Sequence, residues 1–62
     1  MIDINRIEKE RKRRKLSKYK MSELLGMSRQ AYYDICVNKS TKINTLDKIA
    51  DVLGLKSKDL II

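Results

Sequence analysis

The chain has no histidine, tryptophan, phenylalanine or proline, and it holds a single cysteine, Cys36. One cysteine allows no intrachain disulfide, and the lack of histidine removes the usual zinc ligand and the usual base for a nucleophilic thiol. Neither a metal nor a cofactor is expected. Cys36 reads as a small packed hydrophobe rather than a reactive group, and enzyme chemistry has little support. No apolar run approaches the ~18 residues of a membrane helix, and the start does not resemble a signal peptide. The expectation is a soluble cytoplasmic protein. Glycine is also scarce, with only Gly26 and Gly54. Both follow apolar-periodic segments, "MSELLG" and "LDKIADVLG", where a helix calls for a left-handed residue at its C-terminal end.

What the sequence has in excess is positive charge. Fifteen Lys and Arg stand against eight Asp and Glu, for a net +7. The first 20 residues carry nine basic and three acidic residues, net +6; the remaining 42 carry six and five, net +1. Such asymmetry points to a polyanionic partner, either nucleic acid or an anionic membrane, unless "KERKRRK" is only a solvated helix face. A chain of 62 residues makes one domain, residues 1–62, with a core that is marginal for its size.

Periodicity predicts helices. The first should run from Asp3 to Lys15, with a thin apolar side of Ile4 and Ile7 and with Glu10 where a bundle helix would often carry leucine. Ser17 is a plausible N-cap for a second helix, Lys18 to Leu25, and Ser28 for a third, Arg29 to Val37. A fourth, Ile43 to Leu53, places Leu46, Ile49, Ala50 and Leu53 at i, i+3, i+4 and i+7. Ser57 should cap a last turn. No stretch alternates long enough to be a strand, so the fold class is all-α, with four helices and a short fifth.

The second and third helices belong together. Ser22 is small enough for two helices to cross closely, Gly26 permits a sharp corner, and Met21, Leu25, Met27, Tyr32 and Ile35 can fill the wedge. These are the requirements of a helix-turn-helix. In the third helix, Ala31, Tyr32, Ile35 and Cys36 should face inward. Arg29, Gln30, Tyr33, Asp34 and Val37 should face outward, and the outer face begins with residue types that read base edges in the major groove.

From Arg6 to Ile62 the sequence resembles the Cro and phage-repressor class of bacterial helix-turn-helix regulators, also called the xenobiotic-response-element type. The segments that carry the resemblance are "LSKYKMSELLGMSRQAYYDI", "TLDKIADVLGL" and "KSKDLI". It implies a compact lambda-repressor-like domain of four to five helices that binds operator DNA, commonly as a dimer, and mostly represses transcription. Carried over by position, it implies that Ser28, Arg29, Gln30, Tyr33 and Asp34 face base edges or nearby phosphates. Lys18, Asn38, Lys39 and Arg11 match positions that contact the phosphate backbone. The sequence departs from the family pattern in three ways. Cys36 stands where a glutamate partner of Arg11 is usual, and Asn38 where glycine is usual, though asparagine tolerates a left-handed conformation. The loop after Asn38 is one residue shorter, with Lys42 in place of a serine cap, leaving Thr41 to cap the fourth helix.

Some of these side chains admit two readings. Asp34 can accept from cytosine N4, or can hold Gln30 from one helical turn away. Tyr33 can touch a thymine methyl or a phosphate, whereas Tyr32 belongs to the core with Ile35. Tyr19 is either a surface tyrosine or a backbone contact. Useful specificity from so small a domain calls for a homodimer on a two-fold symmetric DNA site. Leu55, Leu60, Ile61 and Ile62 are its candidate surface, with core closure the better reading of Leu60. A protein-interaction module of antitoxin type is the alternative function. A membrane-surface peptide is disfavoured because no single long amphipathic helix exists.

Overall fold

A computed structural model describes residues 2–62. Four helices follow one another as α1 (Ile4–Arg13), α2 (Lys18–Leu24), α3 (Arg29–Asn38) and α4 (Ile43–Leu53), and a 3-10 turn (Ser57–Leu60) closes the chain. The only β-type pairing among the described residues is one isolated antiparallel bridge, Ile2 to Ile61.

Helix starts follow short polar side chains. The Asp3 carboxylate accepts the Arg6 N–H at 3.1 Å, the Ser17 hydroxyl accepts that of Lys20 at 3.0 Å, and Ser28 accepts that of Ala31 at 3.1 Å. Each satisfies an amide that the helix itself leaves unpaired. Two expected caps are not formed. α4 begins after Lys42 with no side-chain cap bond, so Thr41 does not serve it. Ser57 is the first residue of the final turn rather than its cap; its hydroxyl donates instead to Asp47 on α4, and the Lys56 N–H bonds Asp59 at 3.2 Å.

Helix ends turn on left-handed residues. Gly26 (φ 72°) and Gly54 (φ 67°) do so as their positions predict, and the amides beyond them, Met27 and Leu55, return to Ser22 and Ala50 at 3.0 and 2.8 Å. Lys15 (φ 57°) and Lys39 (φ 55°) adopt the same conformation without being glycine. Lys15 therefore lies outside α1, which ends at Arg13, and the Leu16 N–H closes back onto the Arg11 carbonyl at 3.1 Å. The left-handed residue after α3 is Lys39, not Asn38. Asn38 is still helical, and the Lys39 N–H reaches the Ile35 carbonyl at 2.8 Å.

The core takes Ile4 and Ile7 from α1, Met21 and Leu25, Tyr32 from α3, the whole Leu46–Ile49–Ala50–Leu53 stripe of α4, and Leu60. Burial of this apolar area is the main stabilising term for the domain. Leu60 closes the core, being fully buried, and so leaves the candidate dimer surface; Ile61 and Ile62 remain exposed. Ile2 also enters the core, a position periodicity could not reveal because it precedes any helix. Its amide bonds the Lys39 carbonyl at 3.3 Å, and the next amide, of Asp3, bonds that of Leu60 at 2.7 Å. Close helix packing falls into two groups: α2 against α3, and α1 against α4 and the last turn.

Candidate nucleic-acid interface

The helix-turn-helix is built as its residue sizes require. Ser22, on α2, is buried, with its hydroxyl donating to the Tyr19 carbonyl at 2.6 Å. Tyr32 is fully buried behind α3, whereas Tyr33 is 49% exposed on the front. The register of α3 is therefore the expected one. Arg29, Gln30, Tyr33, Asp34 and Val37 are exposed, and Ala31, Ile35 and Cys36 are half-buried on the inner side.

Lys18, Arg29, Gln30 and Tyr33 line one open concavity of about 410 Å³ at the N-terminal end of α3. The Lys18 ammonium stands 5.5 Å from the centre of the Tyr33 ring, within the range of a cation–π contact. Gln30 Nε2 donates to Asp34 Oδ1 at 3.0 Å, so the Asp34 carboxylate is engaged in holding the amide. Ser28 is exposed but spends its hydroxyl oxygen on the helix cap. Asn38 and Lys39 are exposed at the other end of α3 and do not line the concavity. Tyr19 is exposed on α2.

Arg11 is placed differently from the other phosphate candidates. It is 6% exposed, and its guanidinium bonds Glu8 through Nε at 2.7 Å and Nη2 at 3.1 Å, and through Nη1 the Leu16 carbonyl. Glu8, three residues earlier on the same helix, supplies the carboxylate that Cys36 does not. The same carboxylate accepts the Tyr32 hydroxyl at 2.8 Å and lies 3.9 Å from Lys18 Nζ. Burial pushes the Glu8 carboxyl up, but the bonds from Arg11 and Tyr32 and the charges of Arg11 and Lys18 outweigh it, holding the group below the usual carboxylate range. Burial, and then the bond to Glu8, push the Tyr32 hydroxyl far up, so it stays a donor. The Cys36 thiol is pushed up mainly by burial and by the neighbouring Glu8 charge, which disfavours the thiolate.

A second carboxylate, Glu10, is 7% exposed and gathers Arg14 at 2.8 Å, Arg13 at 3.4 Å and Arg6 at 3.8 Å. Part of the basic run is thus balanced on α1 itself. In the sequence Glu10 stands out as an acid on the apolar side of the first helix, whereas Glu8 does not. The i, i+3 spacing of Glu8 to Arg11 was the one local signal available.

The helix-turn-helix family model HTH_3 matches residues 7–60. The chain belongs to this family, the Cro/C1 or xenobiotic-response-element type of DNA-binding helix-turn-helix regulator. Its partner class is accordingly double-stranded DNA. Comparison with curated proteins and with solved structures returned no significant match. No helix among the described residues is long and apolar enough to cross a membrane.

Proposed function

We propose that this regulator binds a specific double-stranded DNA sequence by inserting α3 into the major groove, and that it represses transcription by occupying a promoter. The observation that carries this reading is the shared concavity of Lys18, Arg29, Gln30 and Tyr33 in front of a fully buried Tyr32. Arginine can pair with guanine O6 and N7, and glutamine with adenine N6 and N7. Gln30 is held for this by Asp34. Tyr33 offers a ring edge to a thymine methyl or a hydroxyl to phosphate, and Ser28 is close enough in sequence to approach the same strand.

Lys18, Asn38 and Lys39 serve as phosphate contacts in this reading and supply affinity without sequence choice. Arg11, being buried, acts through the Glu8 network more than by reaching out. Two copies on a two-fold symmetric site would set their α3 helices ~34 Å apart, one turn of duplex. The exposed Ile61 and Ile62, together with half-buried Leu55, are the proposed contact between copies.

Selection of bound sites from random duplexes tests the reading, followed by competition with shuffled DNA at two salt concentrations. A recovered motif that shuffled duplex fails to displace is the expected result. Enrichment without a motif, or equal competition by shuffled DNA, refutes sequence-specific binding and favours a protein-interaction role for the same fold.

A further inference from the structure

Building on the proposed DNA reading, we infer that Glu8 is a positioning residue for recognition: its carboxylate fixes the helix-turn-helix on the rest of the domain and holds Lys18 against Tyr33. The closely packed elements fall into two groups, α2 with α3 and α1 with α4 and the last turn. Apolar contacts join them but are non-directional. The Glu8 carboxylate, on α1, is bonded to Tyr32 on α3 at 2.8 Å and lies 3.9 Å from Lys18 on α2. Arg11 completes the set: it grips Glu8 with two nitrogens and the Leu16 carbonyl with a third, fixing the loop that enters α2.

The geometry transmits to the outer face at two points. Tyr32 adjoins Tyr33 in the chain, so anchoring its hydroxyl fixes the rotation of α3 about its own axis. Lys18 is shared between Glu8 and the Tyr33 ring, 5.5 Å from its centroid. Glu8 itself, with its side chain only 20% exposed and occupied by these partners, touches no DNA in this arrangement. Its carboxylate acts on binding through the other residues.

The test is Glu8→Gln in the full chain, read in two ways. Without DNA, NMR follows the Lys18 ε-methylene protons, which the Tyr33 ring, 5.5 Å from the ammonium, should displace upfield in the wild type; a wild type without that displacement overturns the inference. Loss of that displacement in a folded Glu8→Gln protein is expected; its retention overturns the inference. With DNA, affinity is measured for the selected duplex and for a shuffled one. The ratio of the two should fall about tenfold, the size of one misplaced base contact, while affinity for shuffled DNA holds or rises with the lost negative charge. A purely structural glutamate would lower both affinities together and leave the ratio unchanged, which overturns the inference. A wild type that does not discriminate refutes the proposed function instead, and the DNA-free Lys18 signal still decides whether Glu8 holds that side chain.

Should Glu8→Gln fail to fold, Glu8→Gln/Cys36→Glu is read in its place. Cys36 is half-buried on the inner side of α3, one helical turn beyond Tyr32, so a carboxylate there is directed toward the same cluster from α3. Recovery of folding, of the Lys18 displacement and of the ratio is expected. A double variant that stays unfolded, or folds without the displacement, overturns the inference.

Discussion

Replacing Tyr32 by Phe removes one oxygen atom and keeps the ring that fills the wedge. That oxygen is fully buried and donates at 2.8 Å to the ionised Glu8 carboxylate. Hydrogen bonds to charged groups contribute about 1.5–3 kcal/mol. The lower figure applies, because the same Glu8 oxygen keeps Arg11 Nε at 2.7 Å and its side chain retains some access to water. The expected loss is therefore about 1.5 kcal/mol, out of a total of roughly 3–9 kcal/mol for a domain this size. At 4–8 °C per kcal/mol, the thermal midpoint should drop by roughly 6–12 °C. Circular dichroism on heating, together with urea titration, measures this. Tyr33→Phe should stay within about 0.5 kcal/mol, since that residue is half exposed and its hydroxyl has no partner within the domain among the described residues. A double-mutant cycle of Tyr32→Phe with Glu8→Gln should show coupling of about 1 kcal/mol. If Tyr33→Phe is the costlier change, or if the cycle shows no coupling, the assigned packing of α3 against α1 is wrong.

Tyr33→Ala should leave the melting temperature nearly unchanged yet weaken binding to the selected duplex, as checked by parallel melting and band-shift titration. Gln30→Ala should relax one position of the selected motif at a cost of about 1–3 kcal/mol, whereas Lys18→Ala should weaken all duplexes alike and reduce the salt slope by about one; repeating the site selection separates them. Lys15→Gly should be more stable than Lys15→Ala by about 1 kcal/mol in urea titrations, because both lose the charge but only glycine enters the left-handed region freely. Stability should also depend on acid. The folded state holds the Glu8 proton more weakly than the unfolded chain does, so the contribution is complete above the ordinary glutamate value of 4.5 and is lost as pH falls below it. The pH–stability curve of Glu8→Gln should be flatter than that of the wild type in this window.

The features that sequence reasoning reached are the ones determined within a few residues. A serine before an apolar-periodic run caps its helix because the bond it makes spans three residues, as at Ser17 and Ser28. The orientation of Tyr32 and Tyr33 follows from helical period once Ile35 and Cys36 mark the inner side. Where several nearby residues compete for one local role, the same reasoning slips. At Ser57 a tertiary partner decides: Asp47, ten residues away, draws its hydroxyl away from the cap. Left-handed residues without glycine, Lys15 and Lys39, leave no compositional mark; the turn geometry imposes a conformation that costs about 1–2 kcal/mol for a side-chain-bearing residue.

The carboxylate beside Arg11 is the clearest case of a structural requirement met from another place in the chain. With no acid at the end of α3, a buried guanidinium would lack a countercharge, and leaving it so costs more than the pair itself gains. Glu8 meets the need from α1, and its bond to Tyr32 crosses 24 residues of sequence. No spacing rule reaches that far. The i, i+3 relation of Glu8 to Arg11 is common on exposed helices, where such pairs contribute little. What turns this pair into a link between helices is its burial against Tyr32, and burial is a property of the assembled core. A reader of the sequence alone could have found the right partner for Arg11 and still assigned it the wrong importance.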